Sequence, residues 1–519
     1  MTIVIDNTPV TVNPGDTVLA AARSAGINIP TMCHKDGLPH HTSCMVCVVN
    51  DATANKLIPS CTAPAADGMR IETATESVIA ARKAALELLL SEHAGDCEAP
   101  CQRACPAHMD IPAMIRAIAD GDDREAIRIV RERIALPSTL GRICPAPCEK
   151  VCRRKNIDAP VSICLLKRFA GDNDYLKTNI IPAPKPPTGK RIAVVGAGPA
   201  GLSAAYYLLL NGHACTVYET TSRTGGALYH SVSPEILPHD ILEKEVDVIR
   251  ALGAQFIMNT EVGKDISLSA VREQSDAVVI ASGSMNANFG LAMKDSDISV
   301  TAAYETSAQG IFACGNAVST SRMAIRSAAE GYETAVSVDH WLKTGTALHM
   351  KRRFNSSLGK LRAEDIAAIK THASPVERND KPHTAALDGG LTEPDAMKEA
   401  ARCLHCDCRK KDSCRLRDLS ESHQASQNTF SGERAAHMFR ALKHGVVFEQ
   451  GKCIKCGICV RICESEEIPD GFTFMRRGFD IRVDLPFGDV FENKTVMLRC
   501  ASSCPTGAIT SETISAAVS

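Results

Sequence analysis

Apolar and polar positions alternate at the start of the chain: Thr2-Ile-Val-Ile and then Thr11-Val predict short strands, and Thr17-Val-Leu-Ala-Ala-Ala-Arg predicts a helix. With the cysteine-bearing loop that follows, residues 1–75 read as a small sheet-plus-helix domain. From Ser77 to His93 the pattern takes the helical period, and Ile111 to Ala119 and Arg124 to Ile134 continue it, so residues 76–180 read as a helical domain. Pro182-Ala-Pro-Lys-Pro-Pro-Thr-Gly suits neither period and reads as a linker. Strand and helix patterns then alternate through residues 188–345. Residues 346–440, only weakly helical, read as a linker that carries cysteines, and residues 441–519 form a last small domain. The uncharged run from Ile192 to Leu210 contains Gly-Ala-Gly-Pro-Ala-Gly, which makes it a buried strand, turn and helix rather than a membrane span. The expected class is multidomain, α+β and α/β.

Composition changes the picture in one respect. Charge does not: 58 Lys and Arg stand against 60 Asp and Glu, a net −2 without a basic stripe, so neither a nucleic acid nor an anionic membrane is an expected partner. The N-terminus has no basic start or apolar core, and the expected location is the cytoplasm. Cysteine is the exception, with 23 residues. In a reducing compartment so many thiols point to metal ligation rather than to disulfides.

The cysteines fall into groups. Cys33, Cys44, Cys47 and Cys61 suffice for one [2Fe-2S] centre, with zinc as the alternative. Cys97, Cys101 and Cys105 are followed by Cys144, Cys148 and Cys152 and then Cys164, which leaves seven thiolates for two cubanes. His93, four residues before Cys97, is either the eighth ligand or a cation at a helix end. Cys403, Cys406, Cys408 and Cys414 sit close enough in sequence for one centre, [4Fe-4S] or zinc. In the last group, Cys453, Cys456 and Cys459 with the distant Cys504 make one cubane set, while Cys463 and Cys500 are spare or belong to an irregular site. Cys215 and Cys314 lie in apolar strands and read as packing residues. One [2Fe-2S] and about four [4Fe-4S] centres would bring roughly 18 to 20 iron atoms.

Between the cysteine groups, Gly196-Ala-Gly198-Pro199-Ala200-Gly201 joins a strand to a helix, and Glu219 ends the next strand. That context suits a pyrophosphate at a helix N-terminus and a ribose on the carboxylate.

Two family resemblances follow from these motifs. Residues 17–61 and the Cys453–Cys504 segment resemble the iron-sulfur subunits of respiratory complex I and of iron-only hydrogenases. Cys101 to Cys164 and the α/β region resemble the small subunit of glutamate synthase, which implies two [4Fe-4S] centres and FAD. On that resemblance the FAD contacts are Gly196, Gly198, Pro199, Ala200, Gly201, Glu219, Gly225, Gly226, Ser282, Gly283, Gly315 and Asn316, the last in place of the usual Asp. That family inserts a second Rossmann unit for NADPH, but here only thirteen residues separate Ser284 from Ile298, too few for a βαβ unit of about 30. The expectation is a flavin and iron-sulfur electron-transfer subunit without its own substrate or nicotinamide site. Implied partners are an NADH- and FMN-binding subunit and a small [2Fe-2S] subunit of complex I type, with a hydrogenase or formate dehydrogenase catalytic subunit. Electron bifurcation in such an assembly would rest on the partners. The rival expectation is a self-contained FAD-dependent oxidoreductase fed by ferredoxin.

Overall fold

The computed structural model describes residues 1–284, 289–319, 323–379, 383–431, 434 and 438–511. The chain divides into two compact units, each built from separated segments. The first comprises Met1–Glu98, Arg353–His372 and Cys406–Ser519, and the second Ala99–Arg352 and Ala373–His405.

In the first unit, strands Thr2–Ile5 and Thr8–Thr11 form a hairpin with Ile3 opposite Val10, and Arg70–Glu72 pairs parallel to the first of them. The hairpin of Val48–Asp51 and Lys56–Pro59 completes a five-stranded sheet. Alternation buries Ile3 and Ile5 on one face, against Val18 and Leu19 of the helix Val18–Ser24. That helix starts where the Thr17 hydroxyl accepts the Ala20 N–H at 3.1 Å. The helix Glu76–Ser91 is capped in the same way by Thr75. A second sheet holds Arg440–Ala441, Val446–Phe448 and Ile509–Ser511. Helices Ile458–Ser465 and Lys494–Ser503 pack on it around Phe448, Phe472 and Phe491, whose rings meet edge to face. Truncating Phe472 to Ala would cost about 3–5 kcal/mol.

The second unit is helical and then α/β. Ile111–Ala119 and Asp123–Arg131 are capped by Asp110 and Asp122. They pack with Pro137–Ile143 and Ile163–Lys177 in one core that continues into the α/β layer. Its parallel sheet has the order Ile311–Ala313, Ala277–Ile280, Arg191–Val195, Ala214–Tyr218, Gln255–Ile257. Helix Pro199–Leu210 leaves the central strand and packs on Ala324–Thr344. Between Ala277–Ile280 and Ile311–Ala313 the described residues form only the hairpin of Met293–Lys294 and Asp297–Ile298. Part of the Ser284-to-Ile298 stretch, residues 285–288, lies outside the described residues, as do 512–519 of the last expected domain. Glu245 is buried, and its two oxygens accept the N–H groups of Ser138 and Thr139 at 2.6 and 3.0 Å, which caps Pro137–Ile143 from a neighbouring helix. Burial pushes its carboxyl up to about 7.

The stretch 346–440 does not run as one linker. Arg353–His372 belongs to the first unit and Ala373–His405 to the second. Its buried apolar residues are few, Leu358 in the one and Leu391, Ala396 and Ala400 in the other, so no long periodic run announces them. Polar anchors do the fixing: the buried Glu399 carboxylate accepts from Ser162 N at 2.8 Å and from Arg402 at 2.7 Å. Among the described residues no helix is long and apolar enough to cross a membrane.

Candidate metal centres and dinucleotide site

Cys33, Cys44 and Cys47 sit on the long loop between the helix Val18–Ser24 and the strand Val48–Asp51, and Cys61 follows Lys56–Pro59. All four are buried, and they form two pairs: Cys33 with Cys44, and Cys47 with Cys61 at 3.1 Å between sulfurs. Within each pair a hydrogen bond from one thiol holds the other down, Cys33 and Cys61 being the lowered members. Thr42 Oγ1 lies 3.4 Å from Cys61 Sγ. Two thiol pairs are the donor set that two iron atoms require.

Cys453, Cys456, Cys459 and Cys504 line one cavity with Phe448, Ile458, Val483 and Ile509. The loop that wraps it needs left-handed backbone at Lys455 and Gly457. That turn aims the Lys455 N–H at Cys453 Sγ, 3.3 Å away. Burial pushes the Cys453 thiol up to about 12 and Cys456 and Cys459 higher, and the neighbouring sulfurs add to it. Thiols so placed ionise only with a cation bound among them. Cys463 and Cys500 do not line this cavity. They hydrogen-bond to each other in the core behind it.

The buried Arg461 joins the two sets. Its guanidinium donates to the carbonyls of Cys33 at 2.8 Å, Pro39 at 2.7 Å and Cys456 at 3.2 Å. Cys33, Cys44 and Cys456 also contribute to one apolar cluster with Met32, Val46 and Leu86.

In the second unit Cys105, Cys144, Cys148 and Cys164 line a pocket closed by Met109, Ile134 and Ile325. The turn between Cys144 and Cys148 places Ala146 in left-handed backbone. Lys167, one helical turn after Cys164, is only 3% exposed, with Nζ 4.0 Å from the Cys164 sulfur. Burial works against its charge, but the four thiols outweigh burial and hold its pKa up. Both thiols rise, and Lys167 offsets part of each rise. Cys144 rises through its hydrogen bond with Cys164 and burial. At Cys164 a bond with Cys144 that lowers it is outweighed by the bond with Cys148 and burial, leaving it at about 12. Cys101, Cys152 and Cys403 pack, partly buried, along the same core, and Arg154 bonds the Arg402 carbonyl beside Cys152.

The cysteines from 403 to 414 are therefore divided. Cys403 lies in the second unit, whereas Cys406, Cys408 and Cys414 lie in the first. Cys408 donates its N–H to the carbonyl of Cys97 at 3.1 Å, and the Cys97 thiol acts electrostatically on both Cys408 and Cys414. Burial pushes the Cys414 thiol up to about 12. His93 follows the end of its helix and is buried; burial and then Lys452 lower its pKa to about 4, so the ring is neutral at pH 7.

The dinucleotide residues also converge. Gly196 to Gly201 turn from the central strand into the helix Pro199–Leu210, and a Cβ on Gly201 would stand 1.9 Å from the Gly196 carbonyl oxygen. Glu219 is buried and accepts the Ala197 N–H at 2.9 Å and the Thr221 N–H at 3.0 Å. Gly225 donates to Ala197 O at 2.8 Å, with Gly226 next to it. Ser282 and Gly283 follow Ala281, which donates to the Val195 carbonyl at the same strand end. Gly315, followed by Asn316, has no room for a Cβ against Ala200, and its N–H goes to Glu330 at 3.0 Å. Cys215 and Cys314 are both buried, Cys215 in the strand Ala214–Tyr218 and Cys314 between the strand Ile311–Ala313 and Gly315.

Comparison with known proteins matches three parts of the chain. Residues 1–76 match the 2Fe-2S iron-sulfur cluster binding domain, 82–179 match dihydropyrimidine dehydrogenase domain II, 4Fe-4S cluster, and 194–249 match the NAD(P)-binding Rossmann-like domain. The chain carries 2Fe-2S and 4Fe-4S domains and a Rossmann-like dinucleotide domain. Among curated relatives, the NADPH-Fe(3+) oxidoreductase subunit beta of Geobacter sulfurreducens is 45% identical over 188 residues, 36% of this chain and 28% of the relative. The NADP(+)-dependent formate dehydrogenase subunit beta of Moorella thermoacetica is 42% identical over 207 residues, 36% of this chain and 29% of the relative. The glutamate synthase [NADPH] small chain of Bacillus subtilis is 37% identical over 180 residues, 34% of this chain and 36% of the relative. The chain thus spans about a third of the length of these relatives.

Lys167, Arg461 and Ser356, whose N–H meets the Cys97 sulfur at 3.4 Å, carry parts of these sites that cysteine spacing did not reveal. Lys167 could have been found as the residue one turn beyond Cys164, and Arg461 as the charge in an otherwise apolar helical run after Cys459. Nothing in its own segment marks Ser356.

Proposed function

We propose that this chain is an iron-sulfur and flavin electron-relay subunit of a larger nicotinamide-linked oxidoreductase. It would pass electrons between a flavin subunit that handles the nicotinamide and a catalytic subunit such as a hydrogenase or formate dehydrogenase. The observation that carries the reading is Arg461, which ties the ligand loops of two thiol sets through the carbonyls of Cys33 and Cys456. Two redox centres held by one side chain suit transfer from one to the other; a pair of purely structural metals would gain nothing from adjacency.

The residues fit the groups. Cys33, Cys44, Cys47 and Cys61 would hold a [2Fe-2S] centre, and Cys453, Cys456, Cys459 and Cys504 a cubane. Cys105, Cys144, Cys148 and Cys164 would hold another, with Lys167 neutralising part of its charge. FAD would lie with its pyrophosphate at the N-terminus of Pro199–Leu210, where Gly198 opens onto free space, and its ribose toward Glu219. When bound, the flavin supplies the step between two-electron and one-electron chemistry. Ile325 lines the thiol pocket of the second unit and belongs to the helix that packs on Pro199–Leu210, so the flavin fold and that pocket share one scaffold. Only a two-strand hairpin among the described residues stands where a nicotinamide domain would be inserted, and the related beta subunits support a place in a multi-subunit enzyme.

Anaerobically purified protein should contain iron, labile sulfide and FAD, and should fail to oxidise NADH or NADPH unless partner subunits are added. Rapid oxidation of either nucleotide by the isolated chain would overturn the relay and favour a self-contained flavoenzyme.

A further inference from the structure

The hairpin of Thr473–Met475 and Arg482–Asp484 lies beside the Cys453 set. Phe474 stands opposite Val483 in its register, and Ile481 precedes Val483 by two residues of extended backbone, so the three share one face. Val483 is buried and lines the thiol cavity. The Phe474 ring lies over Gly457, in the loop between Cys456 and Cys459, where an added Cβ would stand 3.1 Å from it. The face that closes the cavity therefore continues to the surface. Phe474 and Ile481 are exposed there, and Phe479, in the turn of the hairpin, is fully exposed.

Two cations border this apolar surface. Arg476 and Arg477 are exposed, and among the described residues neither side chain has an ionic or hydrogen-bond partner. Nearby cations are paired: Arg440 and Arg482 with Asp484, Arg499 with Glu466, and Lys443 with Glu492. Arg476 also holds left-handed backbone, φ 67°, at a turn position where glycine would be easier. From Phe474 to Arg482 the segment carries three arginines and one acid, Asp480. Exposed aromatic residues beside unpaired arginines suit a protein face that is acidic around an apolar centre. The patch is small. A stable interface takes about 20–30 residues a side, and smaller ones suit brief encounters between redox proteins.

The geometry points to a docking face for an acidic electron-carrier protein. Arg476 and Arg477 steer the carrier, and Phe474, Phe479 and Ile481 make the contact, against the loop that would hold the cubane of Cys453, Cys456, Cys459 and Cys504. The inference rests on the relay reading above and deepens it by naming where electrons enter or leave this end of the chain. One electron passes from the reduced carrier, which is oxidised, to that centre, which is reduced; no bond forms or breaks and no proton moves. A partner without a redox centre would gain nothing from a face laid over a ligand loop.

The test uses the full chain, purified without oxygen and with its iron, and two probes, a small acidic ferredoxin and a basic c-type cytochrome. With both partners oxidised, calorimetry reads binding alone; stopped-flow absorbance reads electron arrival after mixing with reduced ferredoxin. The native chain should bind the ferredoxin, less tightly as salt rises. Arg476→Glu with Arg477→Glu should weaken that binding and slow the reduction at least about tenfold at low salt. Phe479→Ser should weaken it a few-fold at any salt. Both variants should keep the native iron content and full reduction by dithionite, and the cytochrome should bind the charge-reversed chain no more weakly than the native one. Ferredoxin binding untouched by charge reversal, or equal losses with both probes, overturns the docking face and leaves the relay standing. So does a native chain that elutes as a dimer and becomes a monomer on Phe479→Ser, because the face then belongs to a second copy. Protein free of iron and sulfide overturns both.

Discussion

The two four-thiol cavities have almost the same walls and differ in one charge. In the first unit Cys453, Cys456, Cys459 and Cys504 are surrounded by uncharged side chains, and the lysine in their loop, Lys455, reaches out to Glu92 at 3.1 Å. In the second unit Lys167 points its ammonium inward at Cys105, Cys144, Cys148 and Cys164. At an effective dielectric of about 20 and a distance of about 5 Å, one such charge is worth roughly 3 kcal/mol, or about 0.1 V for one electron. The same ligands should therefore hold an electron more tightly in the second unit. Ligand identity makes the two sites alike; the group lodged beside the ligands sets them apart.

The strongest way to break the comparison is to remove a ligand. Cys105→Ser and Cys456→Ser should each lose about four iron atoms by chemical analysis, from different paramagnetic signals. If one substitution erased both signals, the cavities would not be separate centres. Arg461→Leu should come next. It strips the carbonyls of Cys33, Pro39 and Cys456 of a shared donor, at about 1–3 kcal/mol for each group left unsatisfied. Chelator should then extract iron faster from the Cys33 and Cys453 sets together, with the second-unit centre unaffected.

Lys167→Met sharpens the contrast itself, since one midpoint in a redox titration should fall by roughly 0.1 V while the others stay. Glu245→Gln tests the scaffold of the second unit alone. The native carboxyl is raised from 4.5 to about 7 by burial, so between those values the folded state holds a proton that the unfolded state releases. Stability accordingly declines as pH rises through that window and levels off above it, by at most roughly 3 kcal/mol. Glu330, also raised to about 7, adds a parallel slope, so the variant should flatten the pH dependence of the second unit's melting without abolishing it. The smallest effect is expected from Cys463→Ser, which should leave the iron content unchanged because Cys463 bonds Cys500 outside the cavity.

Local order is what the sequence states most plainly. Ile111–Ala119 is a helix over the residues its pattern marks, and the turn from Val195 through Gly201 is dictated by glycine and close packing. Cysteine spacing works where a single loop wraps a site, as at Cys453 to Cys459. It misleads where the chain leaves and returns: Cys97 lies four residues from Cys101, yet it neighbours Cys408 and Cys414. The stretch 346–440 was opaque for a related reason, because isolated residues such as Leu358 and Ala396 dock on different units. Charges that face thiols leave only a local signal, as Lys167 does by standing one helical turn beyond Cys164.

The division of the first unit bears on how the protein is made. Residues 1–98 leave the ribosome about 300 residues before Cys406, an interval of roughly 15 to 60 s at 5–20 residues per second. Until then the apolar faces of Met32, Val46, Leu86 and Leu90 lack Cys414, Leu416 and Ala425, which complete their cluster. Newly made chains would spend that interval with an open flank, so delivery of iron and protection from aggregation have to be timed to the arrival of the segment that begins at Cys406.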